Sequence, residues 1–418
     1  MSMFVPSMSE RLFSGRTRRV KPGLSLSNAG GLDASALSGK RCRSSIRRVR
    51  WRVSPDATAR HTVDFAPWIV TSSLPALCEE FAIVEMRRLG RNGLEVPALC
   101  LGTMTFGFQV DEPKSVGILD AAYERGLTFL DTADAYPLGG SLDTVGATEL
   151  IIGRWMKARG NRDKIILATK CFAPMRRGPN ASGLSRQHIV EAIDASLRRL
   201  QTDYVDLYQA HAFDPRVPID ESLRAFDDLV SAGKVRYYGC SNYPAWRLGQ
   251  SLAAADRLGV RRYASLQPRY NMLFREIETE LLPLVRAEGL GVLVYNPLAG
   301  GFLSGKYNRN AGLQPDTRFT LGTAAERYQE RYWQDAYFDA VEALGRLLAD
   351  RNQSMVAVAV GWVLRQAGIT SAIIGASRAD QLDANLAALE VKWDDELTKG
   401  CDALWWQLPR RPVIEGYR

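Results

Sequence analysis

The chain has 418 residues, 46% of them hydrophobic and 24% charged, with a formal net charge of +8. Those proportions are ordinary for a globular protein and exclude collagen-like and low-complexity chains. The positive charge is confined to one end: residues 1–78 hold 13 Lys/Arg against Glu10, Asp33, Asp56 and Asp64, so the near-neutral remainder gives no nucleic-acid signal.

In chain order, residues 1–82 are rich in Ser, Arg, Gly and Ala and lack sustained periodicity, which predicts a disordered or mis-started basic extension. Arg- and Ser-rich, acid-poor composition also fits an organelle-targeting segment. The most apolar stretch, Phe65 to Val84, is broken by Pro67, Pro75, Glu79 and Glu80, which excludes a membrane span. Cys42, Cys78, Cys100, Cys171, Cys240 and Cys401 have no paired spacing and read as reduced thiols of a cytoplasmic protein.

Residues 83–418 form the expected folded domain. Met86–Leu89 and Leu94–Val96 flank Gly90-Arg91-Asn92-Gly93 and predict a β-hairpin. Strands follow at Ala98–Gly102, Thr128–Asp131, Ile165–Thr169, Tyr204–Ala210, Val235–Gly239, Ser265–Gln267, Val292–Tyr295 and Ala372–Ile374. Helices are predicted between them at Pro113–Arg125, Thr148–Ala158, Arg186–Leu200, Ile219–Ala232, Ala245–Leu258, Glu276–Glu288 and Ser354–Gln366. The helix over Arg186–Leu200 places Ile189, Ile193, Leu197 and Leu200 on one face, with Arg198 and Arg199 outside. This alternation predicts a single α/β (β/α)8 TIM barrel. A doubly wound sheet is disfavoured because no Gly-x-Gly-x-x-Gly follows the first strand. After Tyr295 a long glycine-rich connection precedes a helix near Asp335–Asp350, and its place after the seventh barrel strand predicts a lid loop.

Three chemistry-bearing residues, Asp131, Lys170 and His211, close consecutive predicted strands, and Tyr136 follows the first of them on a loop. On parallel strands all four converge on one face. A phenol is a poor acid near neutrality without a cation beside it. Lys170 could supply that cation, Asp131 could hold it, and His211 could guide a substrate oxygen, making a proton donor aimed at a carbonyl. With His61, His188 and His211 the only histidines, no metal-ligand cluster is legible, and there is no Gly-x-Ser-x-Gly nucleophile elbow.

From about Met86 to Leu389 the chain resembles the aldo-keto reductases, NADP(H)-dependent barrel oxidoreductases, and within them the aryl-alcohol-dehydrogenase-like and potassium-channel β-subunit-like branches. The matching segments are Asp131-Thr132-Ala133-Asp134-Ala135-Tyr136, Ala168-Thr169-Lys170 and Asp206-Leu207-Tyr208-Gln209-Ala210-His211. The resemblance implies catalytic roles for Asp131, Tyr136, Lys170 and His211, with Tyr136 donating the proton in the reversible reduction of an aldehyde or ketone. It also implies an NADP(H) site. Gly102, Thr103 and Met104 would lie along it, with Ser241, Asn242 and Gln267 on the nicotinamide carboxamide and Tyr295 stacked on the ring. Pro297, Leu298, Gly300, Lys306 and Arg318 would meet the pyrophosphate, the first three within a backbone anion nest. Gly375, Ser377 and Arg378 would take the 2′-phosphate, and Gln381 and Asn385 the adenine side. The family's frequent acid beside the last of these is Ala384 here.

The loop after Tyr136 is longer than the usual family loop and should reshape the substrate pocket. Phe106, Phe108, Phe172, Met175 and Phe213 are the expected apolar lining for a small-molecule carbonyl or alcohol. The alternative implied by the resemblance is a regulatory subunit that binds NADP(H) without significant turnover.

Overall fold

The structure, a computed structural model, describes residues 84–409; the expectations for residues 1–82, including Cys42 and Cys78, lie outside them. Strands β1 (Met86–Arg88) and β2 (Glu95–Pro97) pair antiparallel as the predicted hairpin. Eight further strands follow: β3 (Leu99–Gly102), β4 (Phe129–Asp131), β5 (Ile166–Cys171), β6 (Val205–Ala210), β7 (Val235–Ser241), β8 (Ser265–Gln267), β9 (Gly291–Tyr295) and β10 (Ser371–Gly375). They close into one all-parallel barrel in which β10 returns beside β3. The (β/α)8 expectation is therefore met.

Barrel closure sorts side chains by parity. Phe129, Ala168, Leu207, Leu293 and Ile373 fill the interior with Leu89 and Val96 of the hairpin. Two residues further along their strands stand Asp131, Lys170, Gln209, Tyr295 and Gly375. The inward parity that builds the core thus delivers the polar set to the barrel's C-terminal mouth. The hairpin closes the opposite end: Gly90 has φ of 59°, and a Cβ there would lie 2.4 Å from the Gly289 carbonyl oxygen, at the N-terminal side of β9.

The outer helices begin with α1 (Glu112–Glu124), α2 (Ala147–Arg159), α3 (Arg186–Leu200), α4 (Ile219–Ser231) and α5 (Ala245–Leu258). They bury the expected stripes, Ile189, Ile193 and Leu200 among them. Three differences from expectation have local causes. The predicted helix over Glu276–Glu288 is a 3-10 turn at Glu276–Glu278 followed by α6 (Leu281–Glu288). Pro283 lies in the first turn of α6, where its missing N–H costs nothing, but its ring would clash with a helical carbonyl four residues earlier.

The connection after β9 is structured where a loop was expected. It contains 3-10 turns and α7 (Ala325–Tyr332), then α8 (Asp335–Leu348). Tyr328 and Tyr332, four residues apart, bury the inner face of α7, a short apolar stripe hidden in a polar stretch. Past α9 (Met355–Leu364) and α10 (Asp380–Leu386), the chain ends its described part in α11 (Asp395–Trp406), which was not anticipated. Asp394 caps that helix by accepting from Leu397 N at 2.7 Å. Cys100, Cys171, Cys240 and Cys401 are buried free thiols, and among the described residues no helix is long and apolar enough to cross a membrane.

Strand β7 approaches β8 so closely at Gly239 that a Cβ there would lie 2.4 Å from Ser265 Oγ and 2.8 Å from its carbonyl oxygen. Gly239→Val should therefore destabilise the barrel by about 1–3 kcal/mol through overpacking, seen as a lower denaturation midpoint. An unchanged midpoint would mean the two strands are not held this closely.

Candidate active site

At the barrel's C-terminal mouth lies a cavity of about 490 Å³. Asp131, Tyr136 and His211 line it, with Lys170 immediately behind, fully buried. Burial makes an ammonium expensive unless each N–H has an acceptor. The Lys170 Nζ donates to Asp131 Oδ1 at 2.5 Å, to the Thr132 carbonyl oxygen at 2.8 Å and to Tyr136 Oη at 3.3 Å. Asp131 Oδ2 accepts from Gln267 Nε2 at 2.8 Å and from Gln209 Nε2 at 3.4 Å. The carboxylate is thereby clamped from β6 and β8 as well as by the lysine on β5.

The Lys170–Asp131 pair is close to electrically neutral as a unit, and this changes one expectation. Burial, then the Asp131 carboxylate, hold the Tyr136 phenol well above its ordinary range, with Arg318 opposing. The lysine is nonetheless within hydrogen-bond reach of the phenol oxygen. Burial, then Lys170 and Arg327, push the His211 imidazole well below its usual value, so it is neutral near pH 7. Its ring meets that of Tyr136 edge-on, with centroids 5.9 Å apart.

One wall carries Ser241, Asn242, Gln267 and Tyr295. Asn242 sits at φ of 58°, its Nδ2 donating to the His211 carbonyl oxygen at 2.9 Å and its Oδ1 accepting from Tyr295 Oη at 2.8 Å. Ser241 Oγ donates to the Gln267 carbonyl oxygen at 2.8 Å. The same cavity runs past Gly102, Thr103, Met104, Pro297, Leu298, Gly300, Lys306 and Arg318 to Gly375, Ser377, Gln381 and Asn385. The expected cofactor residues thus fall on one continuous wall, save Arg378. That guanidinium is exposed and paired with Asp380 at 3.0 Å; burial, then Arg318 and lastly Arg378, lower the proton affinity of Lys306.

This end fits an anionic dinucleotide. Lys306 feels the charges of Arg318 and Arg378 there, Arg318 Nη1 is buried without an acceptor, and Asn385 Oδ1 is buried without a donor. The expected backbone nest is a correction. Ala299, Gly300 and Gly301 do share left-handed φ values, but the amides of Ala299, Gly300, Gly301, Leu303 and Gly305 already donate within the loop, Gly300 N to Asn296 Oδ1 at 2.5 Å.

The expected aromatic lining is a second correction. Phe106 is fully buried in the core, Phe108 is exposed, and Phe172 and Met175 are half-buried outside the cavity. Phe213 packs edge-on against Tyr243, with Arg247 over its ring. In their place stand Leu138 from the enlarged loop and Arg327, Tyr328 and Arg331 from α7. Sequence reasoning missed these three because α7 was taken as loop; the repeat of Arg and Tyr at positions 327, 328, 331 and 332 was the available signal. The enlarged loop meets the lid directly, since a Cβ on Gly139 would lie 3.0 Å from the Leu321 carbonyl oxygen; from the connection between β3 and α1, Gln109 Nε2 also donates to the Asp316 carbonyl oxygen at 2.6 Å.

Behind the site Glu149 is fully buried, accepting from Thr169 Oγ1 at 2.6 Å and from Arg199 Nε at 2.7 Å. Arg199, expected on the outer face of α3, turns inward to neutralise it. Neighbouring Asp134 is fully buried, and no side chain donates to its carboxyl. Burial, then Glu149, raise its carboxyl well above the usual range.

Comparison with known proteins agrees with this geometry. A family model described as Aldo/keto reductase family matches residues 98–405. The chain is 39% identical over 322 residues to "Uncharacterized oxidoreductase YrpG" of Bacillus subtilis, covering 76% of this chain and 94% of that protein. It is 35% identical over 316 residues to "Probable voltage-gated potassium channel subunit beta" of Arabidopsis thaliana, covering 74% and 92%. "Protein tas" of Escherichia coli is 33% identical over 342 residues, covering 77% and 97%.

Asp134 generates a pH prediction. Its folded-state value is raised, so the folded chain holds a proton that the unfolded chain releases above the ordinary value of 3.8. Its contribution to stability is full below that value and is lost as pH rises toward the folded value. Asp134→Asn keeps the shape without the ionisation, so it should raise the melting temperature by several degrees at pH 8 and have little effect near pH 3. A larger gain at the acidic end, read by thermal melts, would contradict the assignment.

Proposed function

The chain belongs to the aldo/keto reductase family, and from that membership we propose that it reduces an aldehyde or ketone to the alcohol, reversibly, with NADPH as electron source and Tyr136 as proton donor. The observation that carries the reading is the 3.3 Å hydrogen bond from Lys170 to the Tyr136 hydroxyl at the wall of the cavity. The phenol keeps its proton until a carbonyl oxygen beside it gains negative charge. Lys170 then donates to the oxygen left behind, and Asp131 keeps the ammonium in place. A neutral His211 offers an N–H to the same carbonyl oxygen without competing for the proton.

When bound, the dihydronicotinamide supplies the hydride. Ser241, Asn242 and Gln267 would hold its carboxamide, Tyr295 would cover one face of its ring, and Lys306 and Arg318 would meet the phosphates. Ser377 in the cavity lining, with Arg378 next to it, would suit a 2′-phosphate and so favours NADP(H) over NAD(H). Buried free thiols support a cytoplasmic setting.

The plant relative whose printed name is a channel β subunit favours a second reading, a cofactor-binding regulatory subunit without significant turnover. One experiment separates the two. On a panel of aldehydes and ketones with NADPH, the wild type should turn over, and Tyr136→Phe should lose about 100- to 10,000-fold in kcat while its fluorescence titration with NADPH stays near wild type. Tight NADPH binding without turnover on any carbonyl favours the regulatory reading, and wild-type-like turnover by the phenylalanine variant removes Tyr136 as the proton donor.

A further inference from the structure

The backbone of Tyr136 is tied down on both sides. Its N–H donates to the Ala133 carbonyl oxygen at 3.2 Å, and its carbonyl oxygen accepts from Gly146 N at 2.9 Å. On the first side the turn hangs on β5: Thr132 N donates to the Ala168 carbonyl oxygen at 2.9 Å, and Asp134 N to that of Lys170 at 3.1 Å. On the second side Gly146 is the N-cap of α2, and its carbonyl oxygen accepts from Leu150 N at 3.1 Å. Whatever fixes the start of α2 therefore fixes the tyrosine.

Glu149, in the first turn of α2, reaches two other elements. Its buried carboxylate accepts from Thr169 on β5, the residue before Lys170, and from Arg199 on α3. Arg199 also donates to Ser196 Oγ at 3.2 Å. The arginine side chain continues across Gly146, where a Cβ would lie 2.7 Å from Arg199 Cδ, and glycine at φ of 85° leaves it that room. A closed path results: from Lys170 through Thr169, Glu149 and Gly146 to Tyr136, and back by the 3.3 Å hydrogen bond between tyrosine and lysine. Exchanging a buried ion pair for apolar side chains is often neutral or stabilising, so stability alone gives no reason for this one. Directed bonds to two elements at once do what apolar packing cannot, which is to fix the start of α2 relative to the end of β5.

We propose that Glu149 and Arg199 are positioning residues for the proton transfer: acting through the first turn of α2, they hold the Tyr136 hydroxyl against Lys170. The proposal rests on the carbonyl-reduction reading above and deepens it. Neither residue lines the cavity, so neither touches substrate or cofactor. Their loss should therefore lower kcat and leave KM and NADPH binding near wild type.

The test uses the full chain with NADPH and an aldehyde that the wild type turns over. Glu149→Gln removes the charge and keeps the outline, Arg199→Leu removes the guanidinium, and Gly146→Ala puts a methyl group where the arginine lies. Each variant that melts cooperatively should lose about 10- to 100-fold in kcat, the scale of a small misplacement of a reacting group. Its KM and its fluorescence titration with NADPH should stay near wild type. Gly146→Ala keeps both charges and serves where losing one of them prevents folding. Arg199→Lys, which still compensates Glu149, should recover part of the kcat lost in Arg199→Leu. In Tyr136→Phe there is no phenol to place, so adding Glu149→Gln should cost no further kcat. Wild-type kcat in the folded variants, or the same loss on top of Tyr136→Phe, overturns the positioning role and leaves carbonyl reduction standing. No turnover of any aldehyde by the wild type overturns both.

Discussion

A lysine ammonium buried in a protein interior has to place three N–H donors and one charge, and the C-terminal mouth of this barrel is arranged around that requirement at Lys170. One donor meets Asp131, one the Thr132 carbonyl and one the Tyr136 hydroxyl. Asp131 in turn is held by glutamines from two other strands. Removing either charge would leave its partner buried and uncompensated, which typically costs about 3–5 kcal/mol. The pair thus ties the stability of the barrel mouth to the position of the phenol, and the tyrosine inherits its precision from an interaction made for folding.

Much of this was legible before the fold was known. Alternating apolar runs and amphipathic stretches imply a parallel barrel, and a barrel puts the ends of consecutive strands on one rim. Asp131 and Lys170 could therefore be placed together from sequence spacing alone, with His211 one residue past the end of β6. The family resemblance then assigned roles that composition could not. Part of the cofactor set, Gly102, Ser241, Gln267, Tyr295 and Gly375, stands at strand ends for the same reason, whereas Lys306, Arg318, Gln381 and Asn385 were placed by the resemblance alone.

What was not legible depended on charge balance and on long connections. Spacing places a lysine near a tyrosine and an aspartate but cannot give the balance of burial and charge that sets the phenol's proton affinity. Arg199 was assigned to solvent because helical periodicity sees only its own helix, whereas buried Glu149 on α2 draws it inward. Phe106 and Phe108, just past the end of β3, were expected as pocket lining, yet Phe106 is buried in the core and Phe108 is exposed. In their place α7, folded from a polar stretch with two inward tyrosines, adds Arg327, Tyr328 and Arg331 to the cavity lining.

The central claim is that Tyr136 rests as a neutral phenol beside a compensated ion pair and gives up its proton only as charge develops on the substrate. Carbon-13 NMR of ring-labelled tyrosine, comparing the wild type with Tyr136→Phe to assign the signal, reads that state directly across a pH titration. The Tyr136 carbon should remain at the phenol position up to and beyond the ordinary value of 10.0. A phenolate signal from Tyr136 near neutral pH would contradict the account, because the Lys170 charge would then be acting on the resting phenol after all.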